Sequence, residues 1–207
     1  SNIDLSEISD TPKFDQDFNI SGVLGDLSSE IKGIERWNLT DTASLDKLFE
    51  SNTNFNQEIG GWNTSNIKSL YATFYGATSF NQYIGQWDTR NVTTMLSCFN
   101  GATSFNQNLS GWDTRNVADM AGMFSGASSF NQDVSSWDFS SIVRMVGFMD
   151  NSSYNPDYYD NLLIALDESG REDVILGMTG INYTSTGSSA RASLITKGWV
   201  ITDGGII

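Results

Sequence analysis

Hydrophobic and polar residues recur along this chain at a fixed interval of 25 residues. A Phe-Asn-Gln phrase begins each unit, and a tryptophan follows seven residues later, at Trp62, Trp87, Trp112 and Trp137. Trp37 lies one interval upstream. Repeats of about 20–50 residues are typical of solenoids, in which each unit buries its apolar face only against its neighbours. The pattern therefore predicts a stack of coils over residues 34–154.

Within one unit the spacing of apolar residues predicts a short strand followed by a short helix. Residues 112–114 (Trp-Asp-Thr) alternate with the period of a strand, with Trp and Thr inward and Asp outward. Met120, Met123 and Phe124 then have the spacing of one helical face, and Gly126 follows where a left-handed C-cap residue belongs. Each coil is predicted to be a short parallel strand, a turn, a short helix and a return loop. The fold class expected is an α/β solenoid.

Polar residues form columns as regular as the apolar ones. Asparagine recurs at two places in the unit: Asn56, Asn81, Asn106 and Asn131, and then Asn66, Asn91 and Asn116. We expect these amides to satisfy backbone groups from coil to coil, because buried polar groups must be paired. Cys98 stands in the column of Met123, which predicts a small core side chain and not a nucleophile. Phe148 falls one residue short of the Phe124 column, which predicts a one-residue deletion where the C-terminal cap docks.

The two ends of the chain lose the repeat phase, as the caps of a stack do. Residues 1–33 are acidic and are predicted to be an N-terminal cap or a degenerate coil. After Tyr154, Asn155-Pro156-Asp157 has the pattern of a helix start. A second helix is expected from about Ser188 to Lys197, ending at Gly198, and Trp199–Thr202 has the composition of a last strand. Residues 155–207 are thus predicted to be a C-terminal cap with two helices and a final strand.

The repeated phrases resemble those of the BspA-like leucine-rich repeat surface proteins of bacteria, in the 25-residue variety also seen in mycoplasma lipoproteins. The matching stretches are FNQEIGGWNTSNIKSLYATFYGATS (55–79), FNQYIGQWDTRNVTTMLSCFNGATS (80–104), FNQNLSGWDTRNVADMAGMFSGASS (105–129) and FNQDVSSWDFSSIVRM (130–145). The resemblance implies a leucine-rich-repeat-like right-handed coil with a helical C-terminal cap. It also implies an extracellular or cell-surface location and a role in adhesion or ligand recognition, with no shared catalytic residues.

Composition excludes several kinds of chemistry. The chain has no histidine and one cysteine, so a Ser-His-Asp triad, a His-ligated zinc and a histidine base are ruled out. A glycosidase needs only two carboxylates, but active sites break repeat symmetry and no coil departs into a special loop. We therefore expect no enzyme, no cofactor and no metal site. A calcium site at Asp88, Asp113 and Asp138 is a weaker hypothesis than a recognition face, because calcium takes about 6–8 ligands around one point and not a row of single carboxylates.

The charge of the chain bears on its partners. A formal net charge of −14 argues against binding nucleic acid or an anionic membrane surface, although solubility alone would also explain it. No apolar run has the length of a membrane span. The chain is expected to be part of a larger surface protein.

The outward residues of the predicted strands are the candidate ligand-binding site. One column holds Asn63, Asp88, Asp113 and Asp138, and the next holds Arg90 and Arg115. These charges could simply pair on a solvated face, where an exposed pair contributes about 0–1 kcal/mol. Alternatively, the patch binds a surface protein or glycan through guanidinium and carboxylate contacts. The competing hypothesis is a structural spacer or fibre module of a larger surface or viral protein.

Overall fold

A computed structural model describes residues 31–207, and in it successive 25-residue units lie against one another. Most backbone hydrogen bonds between units come from one stretch of each unit, here called the turn segment: 45–51, 70–76, 95–101, 120–126 and 145–151. In each of the first four segments, four backbone N–H groups donate to carbonyl oxygens 24 residues later, over 2.6–3.1 Å. In the last segment, the N–H groups of Met149 and Asn151 donate to carbonyl oxygens 28 residues later, at 3.1 and 2.9 Å. Parallel bridges beside them join Ser44 to Ser69, Ser69 to Thr94, Thr94 to Asp119 and Asp119 to Arg144. Neighbouring units therefore run parallel.

The turn segments are not helices. Each is a series of consecutive turns, as in 45–51, where the N–H of Leu48 donates to the carbonyl of Leu45 at 3.1 Å. Two residues of that segment have positive φ, Lys47 at 58° and Ser51 at 60°. A left-handed residue reverses the rotation of the backbone, so that N–H groups turn toward the next unit instead of along a helix axis. The short helix expected at Met120–Phe124 is therefore wrong.

The strand expected at residues 112–114 is also absent. Threonine side chains link the backbone there instead. The Thr89 hydroxyl donates to the carbonyl of Asp113 at 3.0 Å and accepts from the Asp113 N–H at 2.8 Å. Thr114 makes the corresponding bond to the Asp138 carbonyl at 2.9 Å. Trp112 and Thr114 do face inward, with 3% and 1% of their surface exposed, so the predicted alternation is right although the strand is not.

Stacked aromatic rings form the centre of the core. The Trp87 and Trp112 ring centroids are 6.4 Å apart with planes at 4°. Phe74 and Phe99 are 5.3 Å apart at 6°, and Phe74 also lies 4.0 Å from Phe80, the first residue of the next unit. Such pairs contribute about 0.5–1.5 kcal/mol each beyond the burial of their area. The repeat therefore stacks identical rings on one another from Trp37 to Trp137 and from Phe49 to Phe124.

The last turn segment keeps the register of the others. The Phe124 N–H donates to the Phe148 carbonyl at 2.8 Å, the same offset as from Phe99 to Met123. Gly147 has positive φ like Gly122 one unit earlier, at 65° and 60°. The predicted one-residue deletion is therefore wrong: Phe148 occupies the methionine column, and Met149 takes the phenylalanine column. The Phe124 and Phe148 rings meet at 73° instead of stacking.

Two helices and two strands follow the repeats. Helix α1 (Pro156–Glu168) begins at its proline, and the Asn155 side chain caps it by accepting from the Asp157 N–H at 2.7 Å. Helix α2 (Ser188–Thr196) ends before Gly198, whose φ is 83°. Strands β1 (Ile175–Met178) and β2 (Val200–Asp203) are parallel and pair from Ile175–Val200 to Met178–Asp203. The sequence indicated both helices and β2 but not β1.

Strand β1 is the connection between this region and the repeats. Met145 of the last turn segment forms a parallel bridge with Leu176 of β1. The Met149 N–H donates to the Gly177 carbonyl at 3.1 Å, continuing the direction of the earlier bonds. The ladder of the repeats thus runs on through β1 into β2. At the other end, a 3-10 helix spans Ile34–Arg36, and the N-terminal cap predicted for residues 1–33 lies, apart from 31–33, outside the described residues.

Candidate functional site

The predicted carboxylates and amide each follow a buried tryptophan directly: Asn63, Asp88, Asp113 and Asp138. The side chain of each accepts a hydrogen bond from the backbone N–H two residues onward. The Arg90 N–H donates to Asp88 Oδ1 at 3.2 Å, and Arg115 N–H donates to Asp113 Oδ1 at 3.2 Å. Asn63 and Asp138 accept in the same way from Ser65 and Ser140, at 3.2 and 2.8 Å. A short polar side chain that bonds two residues onward stabilises a tight turn. The column therefore has a structural function in every unit.

In two neighbouring units the same carboxylate also binds an arginine side chain. Arg90 contacts Asp88 through Nε–Oδ1 and Nη2–Oδ2, both at 2.8 Å. Arg115 contacts Asp113 through the same atoms, both at 2.9 Å. Paired contacts of this kind fix the plane of the guanidinium group. The arginine side chains stay 69% and 67% exposed, so their remaining N–H donors face solvent.

These contacts set the protonation states of the site. The Arg90 side chain holds the pKa of Asp88 below its ordinary value, and Arg115 does the same to the pKa of Asp113. The pKa of Asp138 is lowered first by hydrogen bonds from Ser140 and also by the charge of Arg115. All three carboxyl groups are therefore ionised at neutral pH. They can accept hydrogen bonds but cannot serve as proton donors.

A depression of about 630 Å³ lies over the two ion pairs. It brings together Asp88, Arg90, Asp113 and Arg115, whereas Asn63 and Asp138 lie outside it. Of the predicted ligand-binding residues, only those of two neighbouring units therefore line the depression. Its lining also includes Trp87, whose ring is almost wholly buried.

Two asparagines in the depression were assigned only a structural role from sequence. Asn91 Nδ2 donates to the Ser65 carbonyl at 2.8 Å, and Asn116 Nδ2 donates to the Arg90 carbonyl at 2.7 Å. The predicted coil-to-coil bonding is thereby confirmed for this column. Their Oδ1 atoms accept no hydrogen bond from any residue in 31–207. Both side chains line the depression, so the amides add acceptors next to the guanidinium donors.

Outside the depression, the described part of the chain holds one thiol. Cys98 is completely buried, and burial raises the pKa of its thiol, so it has the surroundings of a core residue. Within residues 31–207, no group of three or more His, Cys, Asp or Glu side chains is placed to hold a metal ion. None of the described helices has the length and apolarity required to cross a bilayer.

Fold and site together define a repeat protein with a polar outer face built on a stacked aromatic core. The sequence profile of the DUF285 family, described as "Mycoplasma protein of unknown function", matches residues 16–110 and again 82–161. The two matches overlap, as expected when one profile meets repeats of a single kind. The chain belongs to this family. No curated protein and no solved structure matches it.

Proposed function

We propose that the chain is a BspA-like leucine-rich-repeat solenoid that acts as a non-catalytic recognition module outside the cell or on its surface. It binds a surface protein or glycan through the outer face that carries Asp88, Arg90, Asp113 and Arg115. The family description is compatible with a mycoplasma-type surface repeat protein. The family description names no ligand, so the proposed function depends on the residues of the site.

One observation supports binding at this face above all others. Two identical Asp–Arg pairs from successive units lie side by side in one depression. The side chains are held in fixed planes by their own units, and their outer N–H groups remain in solvent. Such an arrangement costs little side-chain entropy on binding, because the guanidinium groups are already oriented. Polar partners gain geometric specificity from an oriented guanidinium group.

The test is adhesion of a double variant with a matched control. Arg90→Ala with Arg115→Ala is compared with Arg36→Ala with Arg144→Ala, which changes the net charge equally at exposed arginines outside the depression. Labelled protein is applied to panels of cell-surface proteins and glycans, and circular dichroism confirms that both variants fold. We expect the first variant alone to lose attachment. Equal attachment by both variants would refute the site.

A structural spacer is the second candidate, and the hydrogen bonds of the column support it. Asp88 and Asp113 each hold a turn of their own unit and neutralise an arginine of that unit. Their charge is thus used within the molecule. In this case the outer face is inert, and the first double variant attaches to every surface as the unsubstituted chain does.

A further inference from the structure

The depression over the two ion pairs has the features of a subsite for a repeating, uncharged ligand. Asp88–Arg90 and Asp113–Arg115 are copies of one arrangement, related by the step from one unit to the next. Trp87 and Trp112 directly precede the two aspartates, and their ring centroids are 6.4 Å apart. A ligand that contacts both pairs in the same way must itself repeat over a similar distance.

The charges of the depression select against an ionic polymer. Each arginine is neutralised by its own aspartate at 2.8–2.9 Å, so the depression as a whole offers no excess positive charge. The chain around it carries a net charge of −14. A polyanion is repelled by this field, and a polycation would have to compete with the arginines for the same carboxylates.

The hydrogen-bonding groups match hydroxyls. Outer guanidinium N–H groups of Arg90 and Arg115 are donors, and the Oδ1 atoms of Asn91 and Asn116 are acceptors. A hydroxyl both donates and accepts, so a donor beside an acceptor in each unit suits a chain of neutral sugars.

We propose that this depression binds an extended neutral polysaccharide, with successive sugars on the Arg90–Asn91 and Arg115–Asn116 groups. The proposal rests on the recognition function proposed above and names the class of ligand. It gives the repeat a functional meaning, because two adjacent units with Asp and Arg make a two-fold subsite. The units with Asn63 and Ser65, or Asp138 and Ser140, lack the guanidinium donor.

The test uses the full chain and three soluble probes: cellohexaose, glucose and a heparin oligosaccharide. Calorimetric titration should show binding of cellohexaose, weaker binding of glucose, which can contact only one of the two groups, and no binding of heparin. Arg90→Gln with Arg115→Gln should weaken cellohexaose binding about tenfold or more, since charge-assisted hydrogen bonds are lost. Arg36→Gln with Arg144→Gln, the matched control, should bind as the unsubstituted chain does.

The other outcomes separate the two proposals. Preference for heparin, equal binding of glucose and cellohexaose, or equal losses in both double variants would overturn the polysaccharide subsite. If no cellohexaose binds, yet Arg90→Ala with Arg115→Ala still abolishes attachment to surface panels, the ligand class is wrong and the recognition face stands. If neither effect is seen, both proposals fail.

Discussion

The indole nitrogen of Trp112 donates a hydrogen bond to the carbonyl oxygen of Ile84, 28 residues earlier, at 3.0 Å. Trp62, Trp87 and Trp137 repeat this bond, and Trp199 beyond the repeats makes one to Arg171 at the same offset of 28 residues. The tryptophan therefore does more than fill volume. It gives a second hydrogen bond to a buried carbonyl that also accepts from the Trp87 N–H at 3.1 Å. It also satisfies the indole N–H, which would be a costly polar group if it were left unpaired in an aromatic core.

Replacing Trp112 with phenylalanine should keep the stacking but remove the donor. We expect Trp112→Phe to lower the free energy of unfolding by about 1–3 kcal/mol, from the lost hydrogen bond to the Ile84 carbonyl and the smaller ring. Urea denaturation measures it. Tyr83→Phe is the control, because Tyr83 is 45% exposed. The urea midpoint of this variant should equal that of the unsubstituted chain. Equal midpoints for both variants would contradict the role of the indole bond.

The threonine link between units can be tested with a side chain of equal shape. Thr89→Val removes a buried hydroxyl that both donates to and accepts from Asp113. We expect a loss of about 1–3 kcal/mol in thermal or urea unfolding. Thr93→Val is the matched change at an exposed hydroxyl, which donates to the Lys68 carbonyl at 3.2 Å, and should cost under about 0.5 kcal/mol. A reversed order would argue against the hydroxyl link.

Docking of the C-terminal region depends on the absence of a side chain at Gly177. A Cβ there would lie 2.1 Å from the Gly147 nitrogen, and backbone cannot yield as a flexible side chain does. Gly177→Ala should therefore destabilise the protein by about 3 kcal/mol or more. Gly61→Ala, where an added Cβ meets nothing within 4 Å, should leave the melting temperature almost unchanged. Proteolysis would show whether β1 detaches in the first variant.

The ion pairs predict a specific pH dependence. The pKa of Asp113 is below its ordinary value because of the Arg115 side chain. The ionised form is thus favoured in the folded state, so this contribution to stability is present above the unfolded pKa of about 3.9 and lost as pH falls through the folded one. In Arg115→Gln, an NMR titration of the side-chain carboxyl should show the pKa of Asp113 returning toward its ordinary value.

Asp88 is the internal reference in the same spectra. The lowering of its pKa depends first on Arg90 and not on Arg115, so it should stay where it is. A parallel shift of both aspartates in Arg115→Gln would mean that the pairs are not independent.

The buried thiol of Cys98 can be used to measure unfolding of the core. Cys98 is fully buried and burial raises its pKa, so the reactive thiolate is suppressed in the folded chain. We expect Ellman's reagent to label it only after denaturant is added, at a rate that follows unfolding. Rapid labelling of the native protein would place Cys98 outside the core.

Sequence periodicity predicted which side chains meet, but not how the backbone turns between them. The inward tryptophans and the asparagine bonds follow from columns that any coil must satisfy. The positions with positive φ could not be predicted in this way. One column of them holds Lys47, Ala72 and Ser97 as well as two glycines, so residue type does not mark it. Strand β1 is only four residues long and contains Gly177, so it has little strand signal.

The candidate site shows the same division. The outward Asp and Arg columns were predicted, since alternation alone places them opposite the core. The position of Asn91 and Asn116 in the depression was missed, because each amide group had been given a structural role alone. Its nitrogen binds the preceding unit, and its oxygen is left for solvent.

The turn segments give the molecule an electrical polarity. In each of the first four, from 45–51 to 120–126, four N–H groups are directed toward the following unit and the matching carbonyls toward the preceding one. Peptide dipoles that alternate in an ordinary sheet here add along the stacking direction, with their positive end toward the C-terminus. A duplicated unit can therefore be accommodated in only one orientation, and length can change by whole units without altering either terminal surface.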